Sequence, residues 1–203
     1  MRFLTSLWTI VLLSVCTSVS AQSSVKSIAV SFSPYGITNS QIGSDFKYKF
    51  KGIMAESFSY EVQRKGLTSL TELSCAHGKF DDYEINSTTD IFNPYDTQNF
   101  LQASFTQYVG YTINHNKRLQ FPIYLGLGGS YVKGGAIHNF LFEGAAKVRI
   151  KFYISNRFGI FAGATGRYGL GSRKEERNDA KEKEAFDINH FLFTPEAGLI
   201  YSF

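Results

Sequence analysis

The sequence contains little cysteine and no long apolar run. Of its two cysteines, Cys16 lies in an N-terminal segment that we expect to be removed, which leaves Cys75 alone in the mature chain. A lone cysteine excludes an intramolecular disulfide and a cysteine-based zinc cluster. The apolar run at 7–15 is shorter than the ~20 residues of a membrane-spanning helix, and no later segment is long enough. Any membrane-embedded form must therefore be a closed barrel, because only closure satisfies the edge hydrogen bonds of strands in lipid.

Signals for nucleic acids, metals and cofactors are also missing. No block of Lys and Arg with interleaved aromatic residues indicates nucleic-acid binding, although the formal net charge is +4. The acidic run that begins at Asp81 and Asp82 lacks the glycine turn and the alternating ligands of an EF-hand. We therefore expect no nucleic-acid partner, no metal site and no cofactor.

The N-terminus has the pattern of a secretory signal peptide. Arg2 precedes the apolar run, and Val19, Ser20 and Ala21 supply small residues where a signal peptidase cuts. We expect cleavage before Gln22, so that residues 1–21 form the signal peptide and residues 22–203 form one domain.

Alternation with a period of two is the main structural signal of the mature chain. At the C-terminus, Leu199, Tyr201 and Phe203 share one face of the pattern, and Gly198 and Ser202 are among the small or polar residues on the other. At 101–113 one face is apolar except for Gln107, and at 140–154 the charged residues all fall on odd positions. A helix would scatter these charges around its axis, whereas a strand puts them on one side.

Eight such segments are predicted, separated by connections that alternate in length. The third segment alternates poorly. The predicted strands are 27–37, 45–64, 68–80, 99–113, 119–132, 139–154, 158–170 and 191–203. Tight turns follow the second, fourth and sixth strands, at 65–66, 115–117 and 156–157, and longer loops are predicted at 38–44, 81–98, 133–138 and 171–190. Short turns at one end and long loops at the other are typical of transmembrane barrels with both termini on the periplasmic side.

The mature chain resembles the small eight-stranded bacterial outer-membrane barrels represented by OmpX and the OmpA transmembrane domain, particularly the porin-like barrels of Bacteroidota. The resemblance depends on the signal peptide, the strand count, the loop asymmetry and the terminal aromatic strand; Pro195 within that strand is a departure. It implies an all-β, antiparallel, up-and-down transmembrane barrel in the bacterial outer membrane. The implied partners are outer-membrane lipids, lipopolysaccharide and the barrel-assembly machinery, which would read Leu199, Tyr201 and Phe203, and the barrel is expected to be a monomer.

Charged residues within the strands are expected to point into this barrel. An eight-stranded barrel is only about wide enough for its own side chains, so we expect acids and bases to pair there and fill the lumen. The predicted inward residues are Glu56, Glu72, Glu143, Lys147, Arg149, Lys151, Arg167 and Glu196. The function predicted is a non-enzymatic barrel with a structural or surface-interaction role. A narrow porin-like channel is one alternative, and a soluble exported lipocalin-like barrel with its apolar faces inward is another.

A lipid-modifying enzyme is the remaining alternative. Barrels that deacylate lipid A use a His and a Ser two residues apart, and here none of the four histidines is followed by a serine at that spacing. The residues two positions after His77, His115, His138 and His190 are Lys79, Lys117, Phe140 and Leu192. We therefore predict no catalytic residues.

Overall fold

The computed structural model describes residues 24–42, 46–85, 99–134, 137–176 and 183–203, and strands dominate this part of the chain. The strands are β1 (Val25–Ser33), β2 (Ile37–Ile42), β3 (Phe46–Arg64), β4 (Leu67–Ile85), β5 (Asn99–Ile113), β6 (Leu119–Gly134), β7 (Ile137–Tyr153), β8 (Phe158–Glu176) and β9 (Lys183–Ser202). Within these ranges, no helix is long and apolar enough to cross a membrane.

The sheet closes on itself as a barrel of eight strands. β1 and β2 are two halves of one barrel strand, since each pairs with β3 on one side and with β9 on the other. A path that starts at Val30 and moves from each residue to its paired residue on the next strand ends, after one circuit of the barrel, at Gln41. Gln41 lies eleven residues further along the same barrel strand. At about 3.3 Å per residue and about 4.8 Å between strands, this offset tilts the strands by about 43°. The predicted eight-stranded antiparallel barrel is confirmed.

The two faces of the sheet differ sharply in chemistry. On β5, Phe105 and Val109 are exposed on the outer wall, whereas Thr106 and Tyr108 are fully buried inside. The same alternation leaves large apolar side chains exposed on every barrel strand. A soluble ligand-binding barrel would show the reverse arrangement, with its apolar faces inward.

Tight turns join the strands at one end of the barrel. Lys65 and Gly66 both have positive φ, 49° and 87°, as the two central residues of a type I′ hairpin turn require. At the same end, the Phe203 N–H donates to the Lys26 carbonyl at 2.9 Å. The ends of the described chain therefore lie beside the tight turns.

Several strands extend into segments predicted as loops. β2 occupies most of the loop predicted at 38–44, β4 continues to Ile85, and β8 and β9 stay paired as far as Glu176 and Lys183. We attribute this to strand ends that extend past the apolar band. The outer face becomes polar there, as at Asn39 and Asp187, whereas Ile42 and Ile188 are buried inside, so the sequence loses the apolar-outward alternation that identifies a membrane strand.

The interruption of the first barrel strand, at residues 34–36, lies beside Pro195. The β1–β9 pairs end at Phe32 and Ala197, and the β2–β9 pairs begin at Ile37 and Phe193. Pro195 therefore has no partner in either half of that barrel strand. A proline in a strand is best tolerated at such a break, because at a paired position its missing N–H would remove a hydrogen bond between the strands.

Candidate functional site

Among the side chains that the structure describes, four acids and four bases are buried in the lumen of the barrel. We call this set the charged lumen. Three of its bases alternate along β7, which directs them to the same face. Its members are Glu61, Glu72, Glu143, Lys147, Arg149, Lys151, Arg167 and Glu196. Their formal charges cancel, so the interior as a whole carries no net ionic charge from this set.

Glu72 on β4 is the acid with the most basic partners. It contacts Lys147 through Oε2, accepts from Arg149 Nη2 at 3.2 Å, and accepts from Arg167 Nη2 at 2.8 Å. The donors come from β7 and β8, on the other side of the lumen. One carboxylate therefore links three cations that would repel one another without it.

Two other acids complete the pairing around β7. Glu196 accepts from Arg149 Nε at 2.7 Å and lies 3.4 Å from Lys147 Nζ. Glu61 binds Lys151 Nζ through both oxygens, at 2.5 and 2.6 Å. The Arg149 guanidinium also lies 4.3 Å from the ring centroid of Phe161, in the range of a cation–π contact.

A hydrogen-bonded chain extends from the charged lumen toward the loop end. Arg167 Nη1 lies 3.5 Å from Glu143, and Gln102 donates through Nε2 to Glu143 at 2.6 Å. The carbonyl oxygen of Gln102 is 2.9 Å from His190 Nε2, and His190 Nδ1 is 2.7 Å from Ser40 Oγ. The amide orientation thus requires a proton on Nε2, and Nδ1 then accepts from the serine hydroxyl.

Apolar side chains pack at both ends of the lumen. Toward the loops, one cluster combines Ile42, Ile53, Ala76, Phe100, Val132, Leu141, Ile188 and Leu192. Toward the turns, Ala29, Phe161 and Ile200 pack together against Tyr153. A cavity of about 20 Å³ lies between them, lined by Glu72, Arg167 and Glu196 among others, and a cavity of that size holds about one water molecule.

Seven of the eight side chains predicted to be inward lie in the charged lumen, and Glu56 does not. Glu56 is on the outer wall, 56 % exposed and 3.5 Å from His77 Nε2. Glu56 alternates in step with Phe58 and Tyr60, which face outward, whereas Glu61 alternates in step with Ser59, which is buried. This alternation is visible in the sequence, so Glu61 could have been predicted to face inward from its apolar neighbours.

His190 also lies in the lumen, and the sequence does not predict this position for a different reason. The sequence predicts a loop up to this residue, whereas β9 begins at Lys183 and carries the His190 ring into the lumen, where it stacks on Phe100 with 5.9 Å between centroids. Among the described residues, no group of three or more His, Cys, Asp or Glu side chains could hold a metal ion.

The residues proposed as an assembly signal lie on the outer wall beside the turns. Leu199 and Phe203 are exposed, and Tyr201 contacts the rings of Phe158 and Phe203, with centroids 5.5 and 6.4 Å apart. They form an apolar aromatic surface on the last strand.

Solved structures of bacterial outer-membrane proteins have a similar architecture. A major outer-membrane protein from Thermus thermophilus matches with a TM-score of 0.54 at 10 % identity, over 90 % of this chain and 100 % of that one. The fold is that of an outer-membrane β-barrel. OprG from Pseudomonas aeruginosa matches this barrel with a TM-score of 0.51 at 10 % identity, over 87 % of this chain and 95 % of that one. Neisserial surface protein A matches with a TM-score of 0.50 at 10 % identity, over 90 % and 100 %. No model of a known protein family matches the sequence, and no curated protein matches it.

In the charged lumen, every acid contacts at least one base and every base contacts at least one acid. Buried charges are tolerated when they are paired and hydrogen-bonded in this way. The arrangement is suited to holding opposite walls of a narrow barrel together.

Proposed function

We propose that this chain is a non-enzymatic outer-membrane barrel whose lumen is closed by its own side chains. It would contribute to the envelope as a structural element that displays its loops outside the cell. The observation that carries the proposal is the inverted chemistry of the wall, with cations such as Lys147 and Arg149 sealed inside and residues such as Leu125 and Phe140 exposed outside. In water so much exposed apolar surface would promote association, whereas in a bilayer it is the favourable arrangement.

The closed lumen is proposed from the pairing and packing inside. Ions crossing the barrel would have to displace the apolar cluster that includes Phe100 and Leu141, and then separate Glu72 from its three bases. Removing one partner of a buried ion pair costs about 3–5 kcal/mol. This barrier supports a plugged barrel rather than a narrow channel.

The orientation and assembly proposals follow from the same geometry. Both ends of the described chain lie beside the tight turns, which supports a periplasmic location for both termini. Leu199, Tyr201 and Phe203 form the apolar edge that the assembly machinery would recognise, and the outer wall would contact lipids, including lipopolysaccharide in the outer leaflet.

Membrane location is tested by fractionating cells that produce the full chain. We expect the protein to remain with membranes after alkaline carbonate washing and to require detergent for release. On a gel, the unheated and boiled samples should migrate differently, because the folded barrel resists the detergent. Recovery of folded protein in the aqueous fraction would contradict the proposal.

A further inference from the structure

The outer wall is not uniformly apolar, because five polar residues form a stripe across β3, β4 and β5. We call Glu56, Ser69, Thr71, His77 and Gln107 the polar stripe. Large exposed apolar side chains, including Phe58, Leu73 and Phe105, lie among them. The stripe brings together two irregularities of the sequence: the poor alternation of the segment around His77, and the one polar residue on the apolar face at 101–113.

Hydrogen bonds within the stripe hold its polar groups in place. Thr71 Oγ1 donates to Gln107 Oε1 at 2.6 Å, and Gln107 Nε2 donates to Ser69 Oγ at 2.9 Å. Because an amide nitrogen carries two hydrogens, Gln107 keeps a second N–H for another acceptor. Glu56 has one oxygen 3.5 Å from His77, and its other oxygen can accept from a second donor.

The stripe lies at a height where lipid would surround it. Glu56 is eight residues from Arg64 at the turn end of β3, and a strand tilted by about 43° rises roughly 2.4 Å per residue along the barrel axis. Glu56 is therefore about 19 Å above the turns, within an apolar band ~25 Å tall. Ionisable groups are costly at such positions and usually face protein or water instead of lipid.

Small side chains lie beside Glu56 on this part of the wall. Glu56 is paired with Cys75 on β4, and Cys75 is paired with Ala103 on β5. A partner that packs against β3, β4 and β5 would cover the polar stripe.

We propose that the partner is a second copy of this chain, related by a twofold axis that runs along the membrane normal beside β4. This inference rests on the proposed membrane location, because two copies inserted in the same direction can form an isologous pair only about such an axis. The axis places β3 of each copy opposite β5 of its partner. Within one chain, β4 separates those two strands.

The polar stripe is complementary to itself about this axis. Glu56 pairs with Cys75 on β4, which pairs with Ala103 on β5. Because the strands are tilted, the position on β5 at the same height as Glu56 along the barrel axis lies about three residues from Ala103 toward the turns, close to Gln107. Gln107 of one copy then lies within about 3 Å in height of Glu56 of the other. The free amide N–H can donate to the free carboxylate oxygen at two symmetric places. The proposed dimer differs from the monomer expected from the sequence.

Cysteine cross-linking tests the dimer, because Cys75 on β4 would lie near its own symmetry mate. In membranes of cells that produce the full chain with Cys16→Ser, we expect a bis-maleimide of roughly 10 Å, the usual distance between packed sheets, to give a covalent dimer. The matched control carries Cys16→Ser, Cys75→Ser and Ala162→Cys, which moves the thiol to an exposed position on β8. The yield of covalent dimer in this control measures cross-linking by random collision. A yield from Cys75 no higher than this level would overturn the proposal.

A swap of the two polar side chains tests the pairing itself. Gln107→Glu should reduce the cross-linked fraction at least fivefold, because it opposes two carboxylates, and Glu56→Gln combined with Gln107→Glu should restore at least half of it. Unchanged cross-linking in Gln107→Glu, or no rescue in the double variant, would overturn the pairing. Membrane recovery and heat-dependent mobility are measured on the same samples, so failure of the barrel proposal is distinguished from failure of the dimer.

Discussion

Replacement of Glu72 by Gln tests whether the charged lumen holds the barrel together. The substitution keeps the size of the side chain but removes the charge that links Lys147, Arg149 and Arg167. Loss of one partner from a buried ion pair costs about 3–5 kcal/mol. With a urea dependence of about 2 kcal/mol per molar, the unfolding midpoint should fall by about 2 M.

The assay is urea unfolding of the barrel refolded in lipid vesicles, with the folded fraction read from gel mobility without heating. Glu56→Gln is the matched control, because it makes the same chemical change on the outer wall. At a protein-to-lipid ratio too low for association, we expect it not to lower the free energy of unfolding, because it removes an ionisable group from the lipid-facing wall.

A double variant separates charge imbalance from lost packing. Lys147→Met together with Glu72→Gln removes one charge of each sign from the lumen, and it should recover part of the stability lost in Glu72→Gln alone. The reasoning is refuted if Glu72→Gln unfolds at the same urea concentration as Glu56→Gln.

Three further predictions concern the lumen, the wall and the last strand. His190→Ala should lower the free energy of unfolding by about 2–4 kcal/mol in the same urea assay, because it leaves two buried polar partners unpaired; an unchanged midpoint would argue against the buried chain. Gly198→Ala should sharply reduce refolding yield, since its Cβ would clash with the Val30 carbonyl oxygen, whereas Gly144→Ala meets nothing within 4 Å and should refold normally. Equal yields would contradict the close approach. Deletion of Phe203 should lower membrane incorporation in cells while refolding into vesicles proceeds; normal incorporation would remove its assembly role.

The barrel could be predicted from sequence because its alternation is strong where lipid and lumen lie on opposite faces. The run from Asn99 to Ile113 is predicted to the residue for this reason. Where the strands extend past the apolar band, as in β8 and β9 toward Glu176 and Lys183, the sequence no longer alternates between apolar and polar residues, so the pattern no longer separates strand from loop.

The lumen was predictable in composition but not in its contacts. Period-two spacing identifies Lys147, Arg149 and Lys151 as inward residues, because they lie on one strand. Their partners Glu61 and Glu72 come from β3 and β4, and only the closure and the stagger of the sheet bring them across the lumen. The buried position of His190 likewise depends on a strand that begins earlier than its sequence indicates.

The polar stripe shows the limit of reading one strand at a time. Gln107 looks like an isolated exception on an apolar face, and its meaning becomes clear only when pairing places it beside Ser69 and Thr71. Together with Ser69 and Thr71, Gln107 is part of the polar stripe from which we propose the dimer.

Ion conductance of the refolded wild-type barrel in a planar bilayer is the most direct test of a lumen closed by paired charges. Insertion is verified by gel mobility of the same protein in vesicles. We predict a flat current at both polarities, because in the proposed closed lumen the apolar clusters and the ion pairs would block a continuous water path. Reproducible single-channel steps from the intact protein would contradict the closed lumen.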